Sequence, residues 1–419
     1  MPWAIMESFI WLIDECRRFE IPEIVKTVAW HIVTSEYPPQ TGGVSDYTQL
    51  IARALADTGD EVHVWCPAAE ESTRDKTNAA PENAHDSPVI VHREFGHFAP
   101  ADLRRVDKLL DEFPAPRRLF VQWVPHGYGY RSMNLPFCFW LRRRAVKHHD
   151  VVELMVHEPY LAFGEGSWRQ NGVAAVHRLM TLILLRSVRR VWISIPSWES
   201  RWRPYALGRR IEFRWLPVAG SIPVVDDPVA VQAIRTRYTG GNGILLGHFG
   251  AYDRNIMNLL MGSVPALLQN GAPQSVLLLG QGSEVMRDEL VKKYPQLAGR
   301  LQATGRLEAR ELSLHLSACH AMLQPYVDGI SGRRTSTMAA LAHGLPVVTT
   351  SGRLTEPLWA ETAAVAMVPV QDVSALIEMT QSLLKDVETR KRMSAAARLL
   401  YSEYFNVHRI IASLREPRR

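Results

Sequence analysis

The stretch from Thr27 to Cys66 constrains the fold more than any other part of this sequence. Thr27 to Thr34 is rich in β-branched and aromatic residues, the composition of a strand. Tyr37-Pro38-Pro39-Gln40-Thr41-Gly42-Gly43 then supplies a turn. From about Val44 to Thr58, apolar residues recur at Val44, Tyr47, Leu50, Ile51, Ala54 and Leu55, the spacing of a helix with one buried face. A second strand, Glu61 to Cys66, follows at once. Strand, glycine-containing crossover, helix and strand make a βαβ unit, which commits the chain to parallel pairing in a doubly wound α/β domain.

Apolar segments at Leu119 to Val124, Val151 to Val156 and Arg190 to Ile195 extend the pattern as buried parallel strands. Pro and Gly punctuate Pro217 to Pro228, and a second alternating series follows. It comprises strand Gly243 to His248, helix Met257 to Asn270, strand Ser275 to Leu279, helix Glu284 to Tyr294, a short strand near Leu301 and helix Glu308 to Ala318. Strand Ala321 to Gln324, helix Thr335 to His343 and strand Pro346 to Thr349 complete it. Residues 5 to 20 read as an amphipathic helix outside the pattern, and Ala68 to Ser87 as a surface loop. The expected division is an N-terminal extension (1–25), a first α/β domain (26–216), a linker (217–242), a second α/β domain (243–385) and helices (386–419) that pack back on the first domain.

Composition limits the function. A chain of 419 residues exceeds what one core usually supports, and 47% apolar with 22% charged residues is ordinary for a globular protein. The net charge of +5 is small, but arginines cluster at Arg142-Arg143-Arg144, Arg186 to Arg190 and Arg201 to Arg214. Those clusters read either as solvated helix faces or as contacts to phosphorylated substrates or a membrane surface. Nucleic acid is not expected, because no recognition motif accompanies the charge. The four cysteines, Cys16, Cys66, Cys138 and Cys319, lie far apart without a CxxC pair, which argues against a disulfide framework or a zinc site and for a cytoplasmic protein. The apolar runs Phe9 to Ile13 and Met180 to Leu185 are too short to span a bilayer, leaving peripheral membrane contact as the most that is expected.

Six loops carry candidate chemistry. Gly42-Gly43-Val44 would let an anion approach amides at a helix N-terminus, beyond the carboxyl end of a strand, or would simply make a turn. His157-Glu158 and Gln122-Trp123-Val124-Pro125-His126-Gly127 end two neighbouring strands, where an imidazole can hydrogen-bond a sugar hydroxyl or serve the local structure. Asp328-Gly329-Ile330-Ser331-Gly332-Arg333-Arg334-Thr335 leads into a helix, so loop amides, a helix dipole and two guanidinium groups converge where a diphosphate could sit. Gly247-His248-Phe249-Gly250 with Arg254, and Gly280-Gln281-Gly282, follow the first two strands of the second domain. Trp123, Tyr128, Tyr130 and Tyr160 could stack on a sugar or fill the core.

Several of these segments resemble the family-4 retaining glycosyltransferases of the GT-B fold. Tyr37-Pro38-Pro39 through Gly42-Gly43-Val44, with Leu50 to Ala56 and Gly59-Asp60-Glu61-Val62, is similar to that family's start; Gly344-Leu345-Pro346-Val347-Val348 and the preceding helix are similar to its donor segment. The resemblance implies two Rossmann-like doubly wound parallel-sheet domains facing a central cleft. It also implies transfer of a sugar, of the hexosyltransferase type, from a nucleotide diphosphate-sugar to an acceptor hydroxyl. No resident cofactor or metal is implied; the nucleotide-sugar is a co-substrate, and the acceptor is a small molecule, a glycan or a lipid-linked sugar.

By that resemblance His157, Gly43 and Asp328 would be catalytic. Gly42, Gly250, Arg254, Gly280, Gly282, Ser331, Gly332, Arg333, Arg334, Thr335 and Glu356 would bind the donor, and Asp46, Tyr47, Trp123, His126 and Glu158 the acceptor. The family carries two glutamates with seven residues between them, where this chain has Ser331 and Ala339. The second of them binds the nucleotide ribose, and Asp328 or Glu356 could take its place. Two rival readings remain: the same fold used for epimerisation or phosphorolysis, and a non-catalytic sugar-nucleotide-binding homologue. A nicotinamide-dependent dehydrogenase is disfavoured, because the first crossover lacks the GxGxxG spacing.

Overall fold

Strands β1 (Trp30–Val33), β4 (Arg118–Trp123), β5 (Val151–Val156) and β6 (Arg190–Ile193) are buried along their whole length, as parallel strands covered on both faces must be. They belong to a computed structural model that describes residues 29–40, 42–68, 89–164, 167–241, 243–269 and 275–417. The amphipathic segment expected at residues 5 to 20, Cys16 and nearly all of the loop expected at Ala68 to Ser87 lie outside those residues.

The chain divides into two units, residues 1–216 with 411–419 and residues 217–410. The first holds a seven-stranded parallel sheet that also contains β2 (Val62–Trp65), β3 (Val89–His92) and β7 (Glu212–Trp215), in the order β3-β2-β1-β4-β5-β6-β7. Its strand order reverses between β1 and β4, where Trp30 pairs with both Val62 and Arg118. Helix α1 (Gly43–Asp57) turns Tyr47, Ile51, Ala54 and Leu55 inward. Helices α2 (Pro100–Leu110), α3 (Leu135–Lys147), α4 (Trp168–Leu185) and α5 (Trp198–Trp202) complete the unit, and the last turns of the chain join it.

The second unit holds a six-stranded parallel sheet ordered β10-β9-β8-β11-β12-β13, with β8 (Leu245–Phe249), β9 (Ser275–Leu279), β10 (Leu301–Ala303), β11 (Ala321–Gln324), β12 (Val347–Ser351) and β13 (Val365–Pro369). Its order reverses between β8 and β11. Nine helices are described along this part of the chain: α6 (Pro228–Thr239), α7 (Arg254–Gln269), α8 (Ser283–Lys293), α9 (Ala309–Ala318), α10 (Thr335–Ala342), α11 (Leu358–Glu361), α12 (Val373–Lys385), α13 (Val387–Leu400) and α14 (Val407–Arg415). Residues 217–242, expected as a linker, are part of this unit: α6 packs on α9, and Gly220 lies so close to α10 that a Cβ there would be 3.3 Å from the Met338 carbonyl carbon. Helix α13 packs on α10 and α12, so the return to the first unit begins only at Ile411.

Two of the arginine runs each hold one arginine that is neither solvated nor free for a partner. Arg144 has no exposed side-chain surface; its guanidinium donates to Asp150 at 2.6 Å, to Asp111 at 2.8 Å and to Asp107 at 3.2 Å. Arg190 is equally buried, against Glu212 at 2.8 Å. A buried guanidinium persists only with such partners, so Arg144 ties α2 and α3 to the sheet and Arg190 ties β6 to β7. Cys66, Cys138 and Cys319 are buried and unbridged. No described helix is long and apolar enough to cross a membrane.

Candidate functional site

In a doubly wound sheet ligands bind beyond the carboxyl ends of the strands, where the strand order reverses. The first unit places three candidate loops there, after β1, β4 and β5.

After β1, Gly42 and Gly43 open α1, but the amides expected to receive an anion already have one. The Glu36 carboxylate accepts hydrogen bonds from Val44 N at 3.0 Å and Ser45 N at 2.9 Å through a single oxygen. A Cβ on Gly42 would lie 2.3 Å from that oxygen, so glycine is what gives the carboxylate room; Gly43 has open space around it. Glu36 thus takes up the first-turn amides that were expected to receive a phosphate. Asp46 lies exposed on the first turn of the same helix.

At the ends of β4 and β5 the structure brings His157, Tyr47 and Gln122 together. The Tyr47 ring meets the His157 ring edge-on at a centroid distance of 5.0 Å, and His157 Nε2 lies 2.8 Å from Gln122 Oε1. Burial pushes the His157 pKa down to about 3, so the ring is neutral near pH 7. His126 and Glu158 pair at 3.4 Å on the exposed rim of the same two strands. Trp123 is not on that rim. It is 1% exposed and stacks on Tyr128, which stacks on Phe137, so the indole is core rather than a sugar platform. Tyr128 is likewise core, Tyr160 is half-buried under the Arg178 guanidinium, and Tyr130 is exposed.

The second unit gathers its candidate residues at the ends of β8, β9, β11 and β12. Gly280, at φ +106°, lies so near the β8 loop that a Cβ would be 2.7 Å from Gly250 O. A Cβ on Gly250 would be 3.7 Å from Ser336 Oγ, and one on Gly282 3.5 Å from Tyr252 Cβ. The three glycines therefore line one continuous edge running to the start of α10. Arg254 stands exposed at the first position of α7, whose amides at Asn255 and Ile256 are taken by Asp253.

Within the β11 loop the side chains divide by depth. Ser331 and Gly332 are buried, Arg333 and Arg334 half-buried, and Thr335 exposed. The Arg334 guanidinium lies 4.5 Å above the Tyr326 ring, and Tyr326 Oη shares hydrogen bonds with Ser336 and Thr337, which fixes the entry to α10. Asp328 receives Arg353 at 3.0 Å, with Arg333 3.9 Å away. Glu356 does not project into the edge. Its oxygens accept from Gly332 N at 2.8 Å and Trp359 Nε1 at 2.7 Å, and burial raises its pKa above the ordinary carboxylate value. It braces the loop from behind, which leaves Asp328 as the acid at the surface. Ala339 is buried within α10 beside Gly220.

Four residues of these sites have no distinguishing sequence signal: Glu36, Gln122, Tyr326 and Gln324, whose amide donates to Phe249 O at 3.0 Å. The Gln122 and Gln324 contacts span 35 and 75 residues of sequence, those of Glu36 and Tyr326 only 8 to 11. No group of histidines, cysteines and acids able to hold a metal ion occurs among the described residues.

Residues 243–386, which include the whole edge in the second unit, match a family model described as glycosyl transferases group 1. A comparison with curated proteins finds no match. Among solved structures the chain is similar to sucrose-phosphate synthase from Thermosynechococcus elongatus, with 18% identity, a TM-score of 0.66, and 92% of this chain and 97% of that one covered. It is similar to Anabaena HepE in complex with UDP and glucose, at 15% identity and TM-score 0.65, over 92% and 98% of the two chains. A third is the α,α-trehalose 6-phosphate synthase from Burkholderia multivorans, at 12% identity and TM-score 0.59, over 93% and 97%. At such identities the likeness speaks for architecture: the two parallel-sheet α/β units have the GT-B fold.

Proposed function

We propose that the protein is a retaining glycosyltransferase that moves a sugar from a nucleotide diphosphate-sugar to an acceptor hydroxyl. One observation carries this reading. Glycine loops after β8 and β9, the arginines of the β11 loop and the N-terminus of α10 line one edge of a unit that matches the group 1 glycosyltransferases. Its three glycines bring backbone close to a ligand without side-chain obstruction, and Arg254, Arg333 and Arg334 supply positive charge.

In this reading the edge binds the donor diphosphate, and the same groups stabilise the charge that grows on the departing diphosphate, so no metal ion is required for that step. Asp328 takes the ribose contact that the family's second glutamate makes, where this chain has Ala339. Neutral His157 hydrogen-bonds a sugar hydroxyl, and the exposed His126–Glu158 pair and Asp46 contact the acceptor. UDP is the first nucleotide to test, because HepE has been crystallised with UDP and glucose. Titration calorimetry with UDP, GDP and ADP should give saturable binding for at least one of them, weakened about tenfold or more by Arg334→Ala through loss of a charge-assisted contact. Binding by none would defeat the proposal. Sugar released or epimerised without an acceptor would favour the rival reactions on the same fold.

A further inference from the structure

Gln122 and His157 leave neighbouring strands on the same face of the sheet. Gln122 pairs in register with Met155, and His157 lies two residues further along, whereas Trp123 points to the opposite face and its aromatic stack. The Gln122 side chain is wholly buried, with Oε1 at 2.8 Å from His157 Nε2. Tyr47 closes over the ring from α1. The hydroxyl of Tyr47 and the Gln122 amide nitrogen are both buried without a hydrogen-bond partner. Two unsatisfied polar groups beside a histidine at the end of a strand mark a place where a hydroxyl-bearing ligand restores lost hydrogen bonds.

The ring is neutral, so it carries one N–H and one acceptor lone pair, and the partner of either nitrogen decides which is which. A carboxamide oxygen beside Nε2 accepts from a protonated Nε2. We infer that Gln122 is a positioning residue that holds His157 as the Nε2–H tautomer and so offers Nδ1 as a hydrogen-bond acceptor to a hydroxyl of the ligand. The ligand's identity as a sugar rests on the transferase reading, but the tautomer is a property of the free protein. A ligand bearing fluorine in place of that hydroxyl has nothing to donate to Nδ1 and loses the contact.

The test uses full-length protein labelled with 15N in its histidines, with the His157 signals assigned by their loss in His157→Asn. Long-range proton–nitrogen spectra of the free protein should show a protonated Nε2 and an unprotonated Nδ1. Gln122→Leu should turn that into a mixture of tautomers, and Gln122→Glu, nearly identical in shape, should protonate both nitrogens. A wild-type Nδ1–H tautomer, the result of the opposite carboxamide orientation, overturns the inference without any variant having to fold. An unchanged pattern in a folded Gln122→Leu protein overturns it too. With a transfer assay in hand, Gln122→Leu should lower kcat/KM about tenfold, the value of one lost hydrogen bond, while leaving UDP affinity unchanged. The expected tautomer in a protein that transfers no sugar would refute the transferase reading alone.

Discussion

Replacing Glu36 by alanine should make the N-terminus of α1 a better anion site and a weaker helix end. The carboxylate satisfies two first-turn amides, at Val44 and Ser45, and sits against the positive end of the helix. An arrangement of that kind contributes about 1–2 kcal/mol. An incoming phosphate oxygen competes for the same two N–H groups, so Glu36 must first swing away, and its contribution is subtracted from the ligand's affinity. The subtraction corresponds to a factor of about 5–30 in the dissociation constant. Glu36→Ala removes it. Titration of the full chain with inorganic pyrophosphate at low salt should show tighter binding by roughly that factor, while hydrogen exchange over residues 44–57 shows faster opening of α1. If the variant binds pyrophosphate no more tightly than the wild type while α1 stays folded, the carboxylate is not a competitor and the argument is wrong.

Arg144→Met should lower the opening free energy of α2 and α3 by about 3–5 kcal/mol, because Asp150 and Asp107 stay buried with a partner removed; hydrogen exchange on those helices reads it, and a loss below about 1 kcal/mol would contradict the network. Gly329→Ala should destabilise the β11 loop by at least about 2 kcal/mol, since φ is +85° and a Cβ would lie 2.3 Å from Gly352 N; unchanged protection of residues 328–335 and unchanged nucleotide affinity would refute this. Acid should loosen the first unit well before its carboxylates titrate. His31 is buried with its pKa lowered to about 3, by burial first and then by His63 and His92, so below about 6.5 the unfolded chain takes up a proton that the folded chain refuses. Its stabilising contribution is complete above pH 6.5 and falls by about 1.4 kcal/mol per pH unit as the pH drops towards 3; a urea midpoint that stays flat from pH 6.5 to 4.5 would exclude it.

The strands that set the topology were legible in the sequence because each is a mostly apolar run ending in a turn. β5 and β9 occupy the expected residues, and β1, β4, β6 and β8 differ by a few positions at their ends. Most of what escaped lacks that signature, although β13, Val-Ala-Met-Val-Pro, has it and was not expected. β3 and β7 are edge strands: β3 exposes Ile90 and Val91, and β7, Glu-Phe-Arg-Trp, is half-buried throughout. Helix α6 buries no residue fully and follows a Pro-rich stretch, so the segment reads as a linker. The candidate loops were legible because their place follows from the strand ends, but side-chain depth was not. Gln122 and Trp123 are adjacent in sequence, and the pleat sends one to the histidine and the other to the core. Glu36 lies eight and nine residues from the amides it caps, a pairing that only the folded turn creates.

The way residues 411–417 complete the first unit has a consequence for biosynthesis. Leu414 O accepts from the buried Arg118, Glu416 O from the buried Arg190, and Arg415 reaches Asp60. Those guanidinium groups belong to β4 and β6, which emerge from a ribosome 296 and 226 residues before their partners. Arg118 and Arg190 have Glu153 and Glu212 from the start, but the N-terminal sheet gains their carbonyl acceptors only once residues 414–416 have been made. The second unit, contiguous from Pro217 to Ile410, can finish first. In this molecule the half translated earlier is the half that matures later.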